Sequence, residues 1–263
     1  MNTLPISSTQ IIEIANNYKI EPSKLLNVSL NLSPIDHMYE SEKDGSNIHY
    51  FTVGLQASLI IEKCLSIINK NKIEAVLDFG CGYGRVLRFL VNQFPKAQIT
   101  GCELEEKYTD FCKDAFGVET FQSKTNYKEL PRDKKYDLIW AGSVFTHISA
   151  SKFEELFEYF NEILNNDGVA VFTTHGRFSE EKLKSHGYGL SRFGKKLTEY
   201  QYKTLGYGYQ DYPLAKDYGV SLMKPSWFMN FIKRYDNFEV VTYSEQYWDR
   251  HQDVICVRKI KKN

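Results

Sequence analysis

Residues 75–84 read AVLDFGCGYG, a short apolar run that contains one acidic residue and ends in three glycines at alternate positions. The run has the length and composition of a buried strand, and the segment from Gly84 to Phe94 has the pattern of a helix that Pro95 stops. Glycines at such a turn allow positive φ angles and let the backbone approach a ligand closely. We interpret this stretch as the first strand of an α/β domain with its ligand-binding turn.

The charge at this turn distinguishes two kinds of ligand. A dinucleotide-binding turn reads G-x-G-x-x-G, but here the third glycine comes one residue early and Arg85 takes its place. The carboxylate of Asp78 would repel a pyrophosphate, whereas it suits the cationic amino-acid end of S-adenosylmethionine, which carries no phosphate. Glu103 follows nineteen residues after Gly84, where an acid can accept hydrogen bonds from two ribose hydroxyls.

Strands and helices alternate along the chain, which predicts a parallel sheet with helices on both faces. Two further strands, 238–244 and 253–259, are close in sequence and are expected to pair antiparallel after a helix at 225–234. The other predicted strands are 75–79, 98–102, 120–122, 136–141 and 169–174. The other predicted helices are 9–18, 22–26, 51–69, 84–94, 105–116 before Gly117, and 151–164 with a Ser151/Glu154 capping box.

Composition argues against several classes of protein. Lys and Arg total 33 and Asp and Glu total 33, so no electrostatic footprint for nucleic acid is expected. No apolar run approaches the roughly 20 residues of a membrane span, and the N-terminus does not read as a secretory signal. The five cysteines form no C-x-x-C pair, so we expect reduced thiols in a cytoplasmic protein.

From about Ile73 to Ile260 the chain resembles class I S-adenosylmethionine-dependent methyltransferases. The stretches that carry the resemblance are VLDFGCGYGR at 76–85, Glu103, YDLIWAGSVFTH at 136–147, and Gly168 before the strand 169–174. Shorter phrases resemble a bacterial branch of that family often encoded beside glycosyltransferases: HYF at 49–51, FC at 111–112, FTH at 145–147, FTTHG at 172–176 and HQDV at 251–254. The resemblance implies a Rossmann-like seven-stranded sheet with an antiparallel last strand, S-adenosylmethionine as cofactor and S-adenosylhomocysteine as product.

The resemblance also assigns a cofactor site. Tyr50 is expected to close over the methionine end of the cofactor. The adenine contact matches least well, and Ser123 is assigned to it, with a turn cap as the alternative role. The predicted cofactor-binding residues are Tyr50, Asp78, Gly80, Gly82, Gly84, Glu103, Leu104, Ser123, Gly142 and Ser143.

Three histidines are predicted to converge at the carboxyl edge of the sheet: His147 after the fourth strand, His175 after the fifth and His251 between the last two. A histidine can accept the proton of a hydroxyl acceptor, although each of these could instead make a structural hydrogen bond. Asp253 is expected to orient His251, bind a sugar hydroxyl or cap its strand. No metal is predicted, since the Gly142–Ser143 position lacks the carboxylate of a catechol-type metal site.

No Asn-Pro-Pro-Tyr, Asp-Pro-Pro-Tyr or Pro-Cys follows the fourth strand, which disfavours DNA amino methylation and C5 methylation. We divide the chain into a helical N-terminal arm, 1–70, and a methyltransferase domain, 71–263, with a lid-like insertion at 176–224. Tyrosines could stack on a sugar ring there, or pack as a surface subdomain or dimer contact. The tyrosines of the insertion are Tyr188, Tyr200, Tyr202, Tyr207, Tyr209, Tyr212 and Tyr218.

The expected function is O-methylation of a saccharide or glycan-linked acceptor with a histidine base. A small molecule or peptide methylated at nitrogen is an alternative, in which Glu245 would matter more than the histidines. A non-catalytic cofactor-binding module and a nicotinamide-dependent oxidoreductase are further alternatives, the last opposed by Asp78. The expected partner is a small-molecule or glycan acceptor, with a homodimer possible.

Overall fold

The computed structural model describes residues 8–19, 21, 25, 27–40 and 48–261. Seven strands form one sheet in the order β3-β2-β1-β4-β5-β9-β8. Strands β1 to β5 run parallel, and β9 is antiparallel to both β5 and β8, which confirms the predicted architecture. The strands are β1 Ala75–Phe79, β2 Gln98–Glu103, β3 Glu119–Gln122, β4 Tyr136–Ala141, β5 Leu164–Thr174, β6 Tyr207–Asp211, β7 Gly219–Met223, β8 Phe238–Trp248 and β9 Gln252–Lys259.

The helices cover both faces of this sheet. They are α1 Ser8–Tyr18, α2 His37–Glu40, α3 Ile48–Ile67, α4 Leu87–Gln93, α5 Glu106–Phe116, α6 Ala150–Ile163, α7 Arg177–His186, α8 Arg192–Leu205 and α9 Pro225–Ile232. The predicted helix at 22–26 lies largely outside the described residues. No helix in the described part of the chain is long and apolar enough to cross a membrane.

The helix α3 begins at Ile48, three residues before its predicted start at residue 51, and two other helix starts differ from the prediction for a local reason. The cap of α6 is Ser149, whose hydroxyl accepts from the backbone N–H of Lys152, because Ser149 has extended backbone while Ser151 is already helical. The helix α4 begins at Leu87 and not at Gly84, because Gly84 has a φ of 77° and belongs to the turn. The predicted end of α5 is confirmed, since Gly117 adopts the left-handed conformation there.

Side-chain alternation along β5 explains how both faces of the sheet become buried. Val169 and Val171 point to the core cluster that contains residues of α3, α4 and Trp140. Ala170 and Phe172 point to the opposite cluster, which is rich in phenylalanines of α6 and α9. The sheet therefore lies between two apolar layers. Loops follow the strands at the edge of the sheet where the parallel strands end.

The insertion is a folded unit with its own small apolar cluster: Leu183, Leu190, Tyr202, Val220 and Leu222. Its strands β6 and β7 pair antiparallel as a hairpin. Backbone N–H groups of β7 donate to the rest of the domain, Gly219 to His147 O at 2.9 Å and Met223 to His175 O at 2.8 Å. These bonds attach the insertion directly to the segments that carry two of the predicted catalytic histidines.

Candidate active site

The three glycines of the turn after β1 have different surroundings. All three have positive φ: 81° at Gly80, 52° at Gly82 and 77° at Gly84. A Cβ on Gly80 would lie 2.5 Å from Val144 Cγ2, and one on Gly84 would lie 2.2 Å from the ring of Phe116. A Cβ on Gly82 would meet nothing within 4 Å. Gly80 and Gly84 are thus required by packing, whereas Gly82 borders open space that a ligand can enter.

Two carboxylates flank this turn. Asp78 is only 1% exposed, and its Oδ2 has no hydrogen-bond partner among the described residues. Burial, and then the charge of Glu103, raises the pKa of Asp78 to about 8. The Glu103 carboxylate accepts from the backbone N–H of Gly82 at 2.9 Å and of Leu104 at 2.6 Å. A carboxylate offers about four lone-pair sites, so Glu103 retains capacity for further donors.

This pair fits the two ends of S-adenosylmethionine. An ammonium would satisfy the unpartnered, buried oxygen of Asp78, and ribose hydroxyls could donate to the remaining sites of Glu103. The side chain of Leu104, 47% exposed, provides apolar surface beside Glu103. Ser123 is half-buried, and its backbone N–H donates to Glu103 O at 2.7 Å, which places it near the same strand end.

Three further predicted cofactor residues, Ser143, Gly142 and Tyr50, lie outside the glycine turn and its two carboxylates. Ser143 has a φ of 61°, and its N–H donates to Thr173 Oγ1 at 2.8 Å. A Cβ on Gly142 would lie 2.9 Å from atoms of Trp140 and Trp248. The fully buried Tyr50 donates its hydroxyl to Asp36 at 2.7 Å. The cofactor-binding roles of these residues stay predictions.

The structure brings the three predicted histidines together. Ring centroids of His147 and His175 are 6.4 Å apart, and those of His175 and His251 are 6.1 Å apart. No group of three His, Cys, Asp or Glu side chains within the described ranges could hold a metal ion. The cluster is therefore best considered as a set of proton acceptors and hydrogen-bonding groups.

Asp253 does not orient His251, which corrects one expectation from the sequence. The carboxylate of Asp253 accepts from Gln246 N–H at 2.9 Å and from the Tyr243 hydroxyl at 3.2 Å. The His251 Nδ1 instead contacts the backbone oxygen of Asp249 at 2.8 Å. Burial raises the pKa of Asp253 to about 6. His251 lies in the turn before β9, whereas Asp253 lies within that strand and is engaged by Tyr243 and Gln246 of the neighbouring strand β8.

The three histidines differ in which nitrogen can accept a proton. The Nδ1 of His147 lies 2.7 Å from Gly219 O, and since a carbonyl only accepts, Nδ1 is the donor. In the neutral ring Nε2 is then an acceptor, and it has no hydrogen-bond partner in the part of the chain that the structure describes. Burial lowers the pKa of His147 below its usual 6.5.

The other two histidines are less suited to act as a base. The side chain of His175 is 5% exposed, and burial lowers its pKa to about 3. His251 donates from Nδ1 to the Asp249 carbonyl, and its Nε2 lies 3.3 Å from the amide nitrogen of Gln252. Only His147 therefore combines a half-buried side chain with an unoccupied acceptor nitrogen.

Sequence reasoning missed Gln252 as a member of this site. Its amide nitrogen donates to Ser143 Oγ at 2.7 Å, and its amide oxygen accepts from Thr173 Oγ1. Gln252 thus connects the end of β4, the end of β5 and His251. The only signal in the sequence was its place in the HQDV phrase.

Tyrosines of the insertion surround His147. Tyr218 stacks on the His147 ring with centroids 4.8 Å apart, and the Tyr212 hydroxyl lies 3.4 Å from Nδ1. Burial, followed by the charges of Glu103 and Tyr108, raises the pKa of Tyr218. Tyr212 and Tyr218 therefore border the ring of His147.

Comparison with known proteins supports this interpretation. Residues 76–168 match the family model described as a methyltransferase domain. A sphingolipid C9-methyltransferase of Komagataella phaffii is 28% identical over 144 residues, which are 45% of this chain and 29% of that protein. A malonyl-[acyl-carrier protein] O-methyltransferase of Acetivibrio thermocellus is 26% identical over 139 residues, 51% of this chain and 47% of that protein. This chain thus spans less than half the length of both relatives.

Solved structures share the fold across most of the chain. An S-adenosylmethionine-dependent methyltransferase from Clostridium acetobutylicum superposes with a TM-score of 0.55 at 15% identity, covering 86% of this chain and 97% of that one. The plantazolicin methyltransferase BpumL, solved with a substrate analogue and SAH, has a TM-score of 0.55 at 16% identity, covering 97% and 96%. Residues 76–168 therefore match a methyltransferase domain, within a chain that has the Rossmann-like fold seen in S-adenosylmethionine-dependent methyltransferases.

Proposed function

We propose that this protein is an S-adenosylmethionine-dependent methyltransferase that methylates a hydroxyl group, with His147 as the general base. The observation that carries the proposal is the Nδ1–H to Gly219 bond, which leaves Nε2 of His147 as an acceptor, three residues after the Val144 side chain that lies against Gly80 of the glycine turn. The methyltransferase part is supported by the family match and by the Asp78–Glu103 pair.

The residues of the chain have separate tasks in this reaction. When bound, the cofactor supplies an electrophilic methyl group on a sulfonium. Asp78 and Glu103 hold the two ends of the cofactor and so fix where the methyl group lies. His147 Nε2 would accept the proton of the acceptor hydroxyl, whose oxygen would take the methyl group that the bound cofactor supplies. The Gly219 carbonyl, already bonded to Nδ1–H, stabilises the resulting imidazolium.

A saccharide or glycan-linked acceptor fits the surroundings of His147. Tyr218 is 51% exposed while it stacks on His147, and Tyr212 lies 5.4 Å from Tyr218 between ring centroids. Aromatic faces with a hydroxyl at the tip suit a sugar ring, which has an apolar CH face and polar edges. The resemblance to a branch encoded beside glycosyltransferases supports the same class of acceptor.

Oxygen is favoured over nitrogen as the acceptor atom. Glu245, the carboxylate that an amine acceptor would use, accepts from Arg177 Nε at 2.8 Å and is engaged in an ion pair. The relatives include an O-methyltransferase that acts on malonyl-[acyl-carrier protein], so oxygen methylation occurs among similar domains. These two observations support oxygen rather than nitrogen as the acceptor atom in the proposal.

Replacement of the base tests the proposal. Transfer of a labelled methyl group is measured against panels of saccharides, simple alcohols and amines. We expect His147→Gln to lower kcat by about 10²- to 10⁴-fold, with affinity for S-adenosylhomocysteine changed by less than about threefold. Because burial lowers the pKa of His147, wild-type activity should fall as the pH drops below 6.5.

His186→Gln is the matched control, since His186 is an exposed histidine of the same insertion and should leave kcat unchanged. Transfer to amines that survives in His147→Gln would contradict hydroxyl methylation. Binding of S-adenosylhomocysteine with no transfer to any acceptor would indicate a cofactor-binding module without activity.

A further inference from the structure

One face of the insertion exposes large apolar side chains next to cations. Phe193 is 73% exposed and Tyr200 is 64% exposed, both on α8, and Leu214 is fully exposed in the loop between β6 and β7. Arg192 and Lys196 are exposed on the same side of α8 as Phe193 and Tyr200. The opposite side of α8 buries Gly194, Thr198 and Tyr202. We name the exposed set the insertion face: Arg192, Phe193, Lys196, Tyr200 and Leu214.

The charge of the insertion differs from that of the rest of the chain. Residues 176–224 contain nine Lys or Arg and five Asp or Glu, whereas the whole chain has 33 of each kind. Lys203 of α8 lies within 4 Å of Glu180 and Glu199, but Arg192 and Lys196 enter no ion pair within the described ranges. The insertion therefore carries a positive surplus, and the cations beside Phe193 are available to an anionic partner.

We propose that the insertion face docks on the surface of an anionic lipid bilayer. Aromatic and aliphatic side chains next to Lys and Arg are the pattern of helices that lie in a membrane interface. Cations near an anionic bilayer add an electrostatic attraction that salt weakens. An acidic surface alone would account for the cations but not for Phe193 and Leu214, whereas an anionic bilayer offers charge for the cations and an apolar interior for these two side chains.

The insertion face lies beside the acceptor end of the site. The loop that carries Leu214 also carries Tyr212 and Tyr218, which contact His147. In the first turn of α8, a Cβ on Gly194 would lie 3.9 Å from Gln210 Cβ of β6. Docking through Leu214 would thus bring the loop that contacts His147 to the bilayer. The consequence that the acceptor is anchored in a lipid rests on the proposed function, whereas the docking itself does not.

Vesicle co-sedimentation of the full chain tests the docking. The probes are vesicles of phosphatidylcholine alone and of phosphatidylcholine with about one-third phosphatidylglycerol. We expect binding only to the anionic vesicles, with loss of affinity at high salt. The variants Phe193→Ser with Leu214→Ser, and Arg192→Glu with Lys196→Glu, should each lower that affinity at least about tenfold.

The controls are Ile67→Ser, an apolar residue 49% exposed on α3, and Lys96→Glu, an exposed cation outside the insertion. Both should bind anionic vesicles as the wild type does. Absence of wild-type binding to anionic vesicles would overturn the proposal. The proposal would also be overturned if the Arg192/Lys196 variant lost vesicle affinity while the Phe193/Leu214 variant bound vesicles as the wild type does. That result would indicate that the insertion face binds an acidic macromolecule. The affinity for S-adenosylhomocysteine and the melting temperature are measured in every variant. These two measurements distinguish a failure of the docking proposal from a failure of the methyltransferase proposal and from a failure of the variant to fold.

Discussion

At the scale of single residues, the buried carboxyl group of Asp78 lowers the stability of the ligand-free protein when it is ionised. Burial and Glu103 raise its pKa from 3.8 to about 8, so between these values the folded chain binds a proton that the unfolded chain does not. Stability of the ligand-free protein should therefore decrease as the pH rises through this window. A cationic ligand next to Asp78 would favour the ionised carboxylate and reverse the effect.

The variant Asp78→Asn separates stability from binding. At pH 9 we expect its ligand-free form to be more stable than the wild type by about 1 kcal/mol or more, because no buried charge is left unpaired. Its affinity for S-adenosylhomocysteine should fall by about 10- to 100-fold, since a charge-assisted bond contributes about 1.5–3 kcal/mol. Urea denaturation with and without ligand measures both. The exposed Asp110→Asn is the control, and ligand binding unchanged in Asp78→Asn would contradict the assignment.

Residues whose roles follow from local sequence were predictable, and those that depend on distant contacts were not. Asp78 and Glu103 lie at the ends of β1 and β2, and Gly82 lies in the turn after β1. The short apolar run and the spacing of the glycines that mark these positions are visible in the sequence. The tautomer of His147 depends on Gly219, 72 residues away, and no local pattern indicates that contact. The expectation that Asp253 could orient His251 was wrong for the same reason, because the partners of Asp253 lie on the neighbouring strand β8.

At the scale of elements, β7 acts as the support of the proposed base. Gly219 donates its N–H to His147 O at 2.9 Å and accepts from His147 Nδ1 at 2.7 Å, so strand and histidine are held at two points. The sequence indicated an insertion rich in glycine and tyrosine but not the β6–β7 hairpin. Glycine and tyrosine alternate in β6, and glycine weakens the apolar signal from which strands are predicted.

A substitution in this strand should affect catalysis more than cofactor binding. A Cβ on Gly219 would lie 1.9 Å from Gln210 O, so Gly219→Ala must shift β7 against β6. We expect kcat to fall at least about tenfold, because the base moves, while S-adenosylhomocysteine affinity changes less than about threefold. Gly194→Ala, inside α8 of the same insertion, is the control and should be neutral or slightly stabilising. Equal kcat for Gly219→Ala and wild type would refute the positioning role of β7.

At the scale of the whole molecule, Arg88 joins the N-terminal arm to the glycine turn. Its guanidinium is 1% exposed and donates to the backbone oxygens of Ser29 at 2.9 Å, Asn31 at 3.0 Å and Gly84 at 3.0 Å. Burial lowers the pKa of Arg88. The arm that the sequence showed only as a helical segment is therefore continuous with the cofactor end of the domain. Long-range hydrogen bonds and the packing of Phe89 with arm residues such as Ile14 and Leu25 establish this. The boundary near residue 70 stays a prediction.

Removal of this guanidinium should destabilise the entire chain. We expect Arg88→Met to lower the free energy of unfolding by about 3–5 kcal/mol, since several buried carbonyls and Asp36 lose their cation. Arg234→Met is the control, because Arg234 forms an exposed ion pair with Glu154 and should cost less than about 1 kcal/mol. Urea denaturation followed by circular dichroism measures both. Similar losses for the two variants would show that Arg88 does not hold the arm to the domain.

The position of β9 in the sheet has a consequence for how the chain acquires its structure. This strand lies between β5 and β8, although it follows both in sequence. On the ribosome, β5 therefore keeps an open edge until residues 252–259 have emerged, and β8 has no neighbour in the sheet before then. Such exposed edges favour aggregation of nascent chains, so the sheet should close in one late step. A chain stopped before residue 252 should consequently bind chaperones or aggregate, even though the segment that includes the glycine turn and Glu103 is complete.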